Sequence, residues 1–231
     1  MKIKTLQLTL EQAQSIYKTA DASVKEILES NFCKQDLIGR HIGVWCLTSN
    51  DIAVKAENWN PNDTAIGVGV ITEDTAFIVS LKPQATLPFG SIDVKKYDDI
   101  VYDEDTYDNH TATTSVMNAH SGIKGKMWNN DKFPFIGAPA AEYCIRQFGA
   151  LPTLATAKEI TNNIKAINEA MLAVGGAVVC GWLWTSTVRK CNNYAFVVNT
   201  LNGYVDYDYR CSYYYARAVS AFHIEDFNFN F

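Results

Sequence analysis

Hydrophobic periodicity changes twice along this chain, and the order of the periods constrains the fold more than any other feature. Three short β-branched runs come first: Ile42-Gly43-Val44-Trp45-Cys46-Leu47, then residues 65–71, then 75–81. Thr72-Glu73-Asp74 separates the last two, which predicts an antiparallel hairpin. A helical period then takes over. Pro139 suits a first helical position, and Ala141, Cys144, Ile145 and Phe148 fall at i, i+3, i+4 and i+7, one buried face before Gly149 stops the helix. Thr156 and Glu159 have capping-box spacing at the head of a second helix. Its apolar positions Ile160, Ile164, Ile167 and Met171 lead to a stop at Gly175-Gly176. Strand patterns return at 177–183, 194–199, 204–207 and 215–222. Strands, helices and strands in that order predict an α+β chain and exclude the alternation of a doubly wound sheet.

Two regions fit neither period cleanly. Residues 83–136 carry Pro83, Pro88 and Pro134 among many Asp and Asn, and read as irregular. So long a structureless stretch points to a functional or wrapped-around loop region. Residues 8–32 read as two short helices, with capping-box spacing at Thr9/Gln12 and Ser23/Glu26. Leu10, Ala13, Ile16, Tyr17 and Ala20 make one apolar face, and Val24, Ile27 and Leu28 another. Faces this short do not stabilise a free helix, so the pair must dock, either on its own domain or on another subunit.

At 231 residues, 48% hydrophobic and 19% charged, the chain can bury a core as one large domain, or as one domain with a small appendage. No apolar run approaches the ~18 residues of a membrane span. Met1-Lys2-Ile3-Lys4-Thr5 leads into a polar amphipathic stretch, so no secretory signal and no membrane insertion are expected. A net charge of −5 argues against a general nucleic-acid binder, which needs a basic stripe.

Chemistry-bearing motifs are sparse. Cys33, Cys46, Cys144, Cys180, Cys191 and Cys211 form no C-x-x-C and lie at no zinc-finger spacing, so free and mostly buried thiols are expected, with one or two pairing if the chain works outside a cell. His41, His110, His120 and His223 are scattered. Gly67 and Gly69 make a G-x-G that continues as a strand, which is not a dinucleotide fingerprint. The acidic run 103–108 fails calcium-loop spacing, with no Gly at the sixth place and Thr114 at the twelfth. Trp128-Asn129-Asn130-Asp131 resembles part of a lectin calcium motif but precedes both helices and has no Glu-Pro-Asn partner. No metal and no cofactor are expected.

The segment 188–215 departs most from ordinary composition. Of the twelve Tyr, Tyr194, Tyr204, Tyr207, Tyr209, Tyr213, Tyr214 and Tyr215 lie in it, interleaved with Asn192, Asn193, Asp206, Asp208, Arg210 and Ser212. The run Asp206-Tyr207-Asp208-Tyr209 cannot be fully buried, because each phenol and carboxylate needs a partner or water. A half-exposed sheet face satisfies that demand. So does a binding surface, which the mixture of Tyr, Asn, Ser and Arg favours, since Tyr supplies rigid amphipathic area. Asp206 and Asp208 repel phosphate and disfavour a nucleic-acid stacking platform.

Leu151-Pro152-Thr153, the helix with Glu159 and Ile164 to Asn168, Gly181 to Thr187, and Tyr215 to Phe222 together resemble the C-type-lectin-like fold. Within it the chain is similar to the variable proteins of diversity-generating retroelements and their bacterial and phage relatives. Those proteins frame a mutable ligand face with a Trp-x-Ser-Thr strand, an Asn-Gly turn and an Arg-x-Val-x-x-Phe strand. Here these are Trp184 to Thr187, Asn202-Gly203, and Arg217 with Val219 and Phe222. The likeness covers residues 137–222 well and 40–136 loosely. It implies two helices plus short antiparallel sheets, with a helical N-terminal segment over 1–38 and a ligand-binding domain over 39–231.

In that family template adenines are mutated, so Asn codons become Tyr, Asp, Ser, Cys, Arg, Phe and Val. The resemblance therefore implies a diversified surface made of Arg189, Cys191, Tyr194, Phe196, Val198, Tyr204, Asp206, Tyr207, Asp208, Tyr209, Arg210, Cys211, Ser212, Tyr213 and Tyr214. Lys190 fits that code less well, and on any strand only alternate residues share a face. Trp184, Arg217 and Phe222 would be scaffold. The implied role is non-enzymatic: a phage tail-tip receptor-binding protein that grips a host cell-surface protein or glycan. Residues 1–38 would then attach to a tail fibre or to sister subunits, for instance as a trimer. A bacterial surface adhesin, a formylglycine-generating type of thiol enzyme and a structural particle protein are the alternatives.

Overall fold

The structure, a computed structural model, describes residues 12–13, 15–16, 20–31, 41–92, 94, 103–127, 130–189 and 193–230. It is mixed α+β. The strands are β1 (Gly43–Thr48), β2 (Ile52–Val54), β3 (Ala65–Ile71), β4 (Ala76–Val79), β5 (Ala85–Pro88), β6 (Lys124–Met127), β7 (Asn130–Ile136), β8 (Trp182–Val188), β9 (Tyr194–Asn199), β10 (Val205–Tyr209), β11 (Tyr213–Ala216), β12 (Val219–Ala221) and β13 (Asn228–Asn230). The helices are α1 (Ala22–Asn31), α2 (Asn109–His120), α3 (Pro139–Ile145), α4 (Leu154–Asn162) and α5 (Ile164–Ala173). Among the described residues no helix is long and apolar enough to cross a membrane.

Two sheets carry the fold. The first runs β12-β4-β3-β1-β2-β13 and the second β10-β9-β8-β11-β5, with β6-β7 as a separate hairpin. Pairing is antiparallel except at β11/β8 and β13/β2. The predicted β3/β4 hairpin is present, with Val68 opposite Val79, Val70 opposite Phe77, and the Thr72 N–H donating to the Thr75 carbonyl at 2.9 Å. Period-2 alternation sends Val68, Val70, Phe77 and Val79 to one face, where they meet Ile160 of α4 and Ile167, Ala170 and Met171 of α5. The opposite face of that sheet packs Trp45, Leu47 and Ile71 on Phe222. A Cβ on Gly69 would lie 2.7 Å from the Phe222 ring, so a side chain there would unseat it. The second sheet buries Trp184, Val188, Ala195 and Val197 against Val116 of α2 and Ala141 and Cys144 of α3.

Several sequence expectations need correction. The region 83–136 is not irregular: it contains β5, α2, β6 and β7. The α2 sequence is rich in Thr and poor in apolar residues, so its period is faint. It forms because Asp108 caps it, accepting from the Thr111 N–H at 2.9 Å, and because Ala112 and Val116 are buried. Thr113 also binds this helix to the Leu151 backbone, accepting from its N–H at 2.9 Å. The face predicted for α3 is half right. Ala141 and Cys144 are buried, but the helix ends at Ile145, and Phe148 stands 97% exposed at φ +58°.

The predicted second helix is two. Asn163 breaks it at φ −108°, ψ 10°, and its side-chain amide donates to the Glu159 carbonyl at 3.0 Å. The cap is Thr153, which accepts from the Thr156 N–H at 3.2 Å, in place of the Thr156/Glu159 box. The stop at Gly175-Gly176 is as expected. Gly175 sits at φ +72°, and the Gly176 N–H reaches the Met171 carbonyl at 2.8 Å, a Schellman closure. The strand expected at 177–183 begins only at Trp182. The strand expected at 215–222 divides into β11 in the second sheet and β12 in the first. Asp21, not Ser23, caps α1 through the Val24 N–H at 3.0 Å. Leu28 is buried there while Val24 and Ile27 are exposed; earlier in the chain, Ala13, in a helical conformation, is buried and Ile16, also helical, is exposed. Thr9, Leu10, Tyr17 and the boundary at 38 lie outside the described residues.

Candidate functional site

The tyrosine-rich segment does not form one face. β10 is an edge strand, and its backbone pairs with β9 from the Tyr204 carbonyl, which accepts the Asn199 N–H at 2.9 Å, to the Arg210 N–H, which donates to the Asn193 carbonyl at 3.0 Å. The alternation sends Tyr204, Asp206 and Asp208 to one side and Val205, Tyr207 and Tyr209 to the other. On the first side Asp206 lies opposite Val197 and Asp208 opposite Ala195. There Trp182 meets Tyr204 edge-on at 6.0 Å, and Trp184 meets Tyr214 edge-on at 4.9 Å. The Tyr214 hydroxyl donates to Asp208 Oδ2 at 2.7 Å, tying β11 to β10 across the curled sheet. Burial, reinforced by that hydrogen bond and by the Asp208 and Asp206 charges, raises the Tyr214 phenol well above its ordinary value.

On the second side Tyr194 contacts Tyr207 and Tyr209, with ring centroids 5.4 Å and 4.6 Å away. The Arg189 guanidinium lies over the Tyr207 ring at 3.9 Å. Behind these rings Phe196, Val198 and Val205 pack on Leu154 and Ala157 of α4. Tyr213 is exposed opposite Pro88 on β5, and burial of its inner part raises its phenol.

The Asp residues have a second use. With β9 on one flank, the Tyr207 and Tyr209 N–H groups face the open edge of β10. Asp206 Oδ1 accepts the Tyr207 N–H at 2.8 Å and Asp208 Oδ1 the Tyr209 N–H at 2.6 Å. Two donors of that edge are thereby taken and not offered to a passing strand.

Four residues of the implied surface belong to the interior. Phe196 and Val198 are buried because their positions on β9 face α4. Arg210 and Cys211 are buried in the crossover from β10 to β11, where the Arg210 carbonyl accepts the Gly90 N–H at 3.0 Å and its guanidinium lies 5.9 Å from the Phe89 ring. Ser212 is half-buried in the same turn, its N–H on the Tyr209 carbonyl. Cys191 and Lys190 lie outside the described residues. The frame residues are interior as well. Trp184 donates its indole N–H to the Leu87 carbonyl at 2.8 Å, and Thr187 accepts the Leu154 N–H at 3.0 Å. Arg217 donates from Nη2 to the Ser80 and Ala177 carbonyls at 2.5 and 2.7 Å.

Other chemistry is thin. Burial, with the Glu57 charge behind it, pushes the Cys46 thiol up to about 11, and burial raises the Cys144 thiol too, so neither is a thiolate near neutral pH. Cys180 is exposed, and Cys33 lies outside the described residues. Among the described residues no three metal-ligating side chains converge. The acidic run is spent on local structure: Asp103 accepts the Asp105 N–H at 3.0 Å, and Asp108 caps α2. A mostly apolar cleft of about 510 Å³ lies between the β4/β12 edge, the start of α2 and Phe148, lined also by Tyr107 and His110. No sequence motif announced it, because its walls come from four separate segments.

Compared with protein-family models, with curated proteins and with solved structures, the chain finds no match.

Proposed function

We propose that this protein is a non-enzymatic binding module. It holds out a tyrosine-rich surface on a C-type-lectin-like scaffold, as the receptor-binding element of a phage tail tip diversified by a retroelement. One observation carries the reading: Tyr207 and Tyr213 stand in solvent on strands paired into a five-stranded sheet, with exposed Tyr204 just ahead of β10. Rings fixed in that way lose little entropy when a partner covers them, which is how Tyr anchors work in other paratopes. The scaffold half of the reading draws on the buried frame of Trp184 to Thr187, Arg217 and Phe222, and on the turn at Asn202-Gly203, where Gly203 has φ +73°.

An array of host envelope proteins and glycans tests the function. Changing Tyr207, Tyr209 and Tyr213 together to Ala is expected to lower affinity for the captured component by a factor of about thirty or more, the worth of a central Tyr anchor. Capture that is unchanged in the triple variant would refute the reading. The family is tested separately in the surrounding DNA. There a reverse transcriptase gene and a near-copy of the 188–222 coding segment, differing mainly at adenines, are expected.

A further inference from the structure

Five side chains stand together on one side of the second sheet. Asp206 and Asp208 share that side of β10, with Tyr204 just ahead of the strand. Trp182 of β8 lies 6.0 Å from Tyr204 and 6.3 Å from Tyr214 of β11, and Tyr214 hydrogen-bonds Asp208. The β9 residues paired with Asp208 and Asp206, Ala195 and Val197, are buried. Tyr204 is 59% exposed and Asp206 is exposed, so the patch is open to solvent.

No basic side chain among the described residues belongs to the patch, and Lys190 lies outside them. Among the described residues, neither Asp206 nor Asp208 has a basic partner; the ion pairs join Arg146 to Glu142 and Lys165 to Glu169. Arg189 is stacked on Tyr207, on the opposite side of the strand. Two like charges two residues apart on one strand face repel each other, and each carboxylate also accepts a backbone N–H, that of Tyr207 or of Tyr209. A cation relieves the repulsion and a neutral sugar does not. The neighbouring rings add π faces, of which indole is the strongest cation acceptor. Because Tyr214 pins Asp208 Oδ2, one carboxylate is already oriented before a ligand arrives.

We propose that this patch receives the guanidinium or ammonium group of an arginine or lysine side chain on a partner protein. The inference deepens the binding role argued above and rests on it only in taking this sheet as a docking surface.

The probes are a fluorescein-labelled (Gly-Arg)₃ peptide and its citrulline counterpart, which keeps the shape and removes the charge. Anisotropy at about 0.15 M salt limits long-range attraction to the acidic chain. The Arg peptide is expected to bind about tenfold more tightly than the citrulline peptide. Asp206→Asn and Tyr204→Ala are each expected to weaken it at least about fivefold. Asn still accepts the Tyr207 N–H, so Asp206→Asn removes charge without opening the strand edge. Asp226→Asn makes the same change in net charge on the exposed turn before β13 and is expected to leave binding unaltered.

Three results would overturn the proposal: no preference for Arg over citrulline, equal loss in Asp226→Asn, or full binding by Tyr204→Ala. The last two would mean diffuse attraction to a net charge of −5. Capture of an envelope component that depends on Tyr207, Tyr209 and Tyr213 but ignores Asp206→Asn and Tyr204→Ala would leave the binding role standing and remove the cation patch alone.

Discussion

His120 is the residue whose burial has the clearest thermodynamic consequence. Its ring is fully buried at the end of α2, with Nδ1 on the Val116 carbonyl at 2.8 Å and Phe89 edge-on at 5.8 Å. Burial is the main reason its pKa falls from 6.5 to about 4, and the Arg210 charge lowers it too, against the opposing pull of the Val116 and Ser91 backbone. The unfolded chain takes up this proton as pH drops below 6.5, whereas the folded chain does not until about 4. The stability this ring contributes is therefore complete above pH 6.5 and is lost as pH falls toward 4. Between pH 7 and pH 5 the loss is about 2 kcal/mol. Urea titrations at those two values check it. The wild type is expected to lose that amount and His120→Gln little of it, and a wild-type midpoint that does not move would refute the assignment. Nothing in the sequence distinguishes His120 from His110, because a histidine's burial is decided by what packs around it. Here that is Gly90, where an added Cβ would lie 2.4 Å from the imidazole.

At the scale of elements, β10 shows how one strand can be both paired and protected. Asp206→Ala with Asp208→Ala removes both acceptors from the open edge. Sedimentation velocity over a concentration series is expected to show more self-association than in the wild type or in the Asn pair, which keeps the acceptors. Equal association in all three would show that the carboxylates do not guard the edge. How much of this was legible in sequence depends on what sets each element. β3, β4 and β9 were readable because β-branched runs bounded by turns depend on local pattern. α2 was hidden because Thr-rich helices form through caps and tertiary contacts. The single long helix became α4 and α5 because apolar spacing continues across Asn163 although the backbone does not. The Tyr-rich segment was recognisable as unusual. Its division into two sides, and the burial of Arg210 and Cys211, follow from strand order and from the crossover to β11, which composition does not encode.

At the scale of the whole molecule, the two sheets are joined where the chain passes from β11 to β12. Arg217 sits at that passage, fully buried, and ties it to the carbonyls of Ser80, after β4, and Ala177, after α5. Burial lowers its pKa to about 10, so it remains charged at neutral pH. Arg217→Met keeps much of the apolar stem and removes the donors. It is expected to destabilise the fold by about 3 kcal/mol in urea, with the indoles of Trp45 and Trp184, one in each sheet, still reporting a single transition. A loss below about 0.5 kcal/mol would mean that the clamp carries no weight.

The alternation along β10 also sets a rule for how this strand can change. Its two flanks present different chemistry: acidic groups and rings on one, and rings under an arginine on the other. Inserting a single residue ahead of Val205 would turn the strand over, exchanging the two sets and turning Val205 away from Leu154 and Ala157 of α4. Replacements here are absorbed one position at a time, whereas insertions and deletions are tolerated only in steps of two.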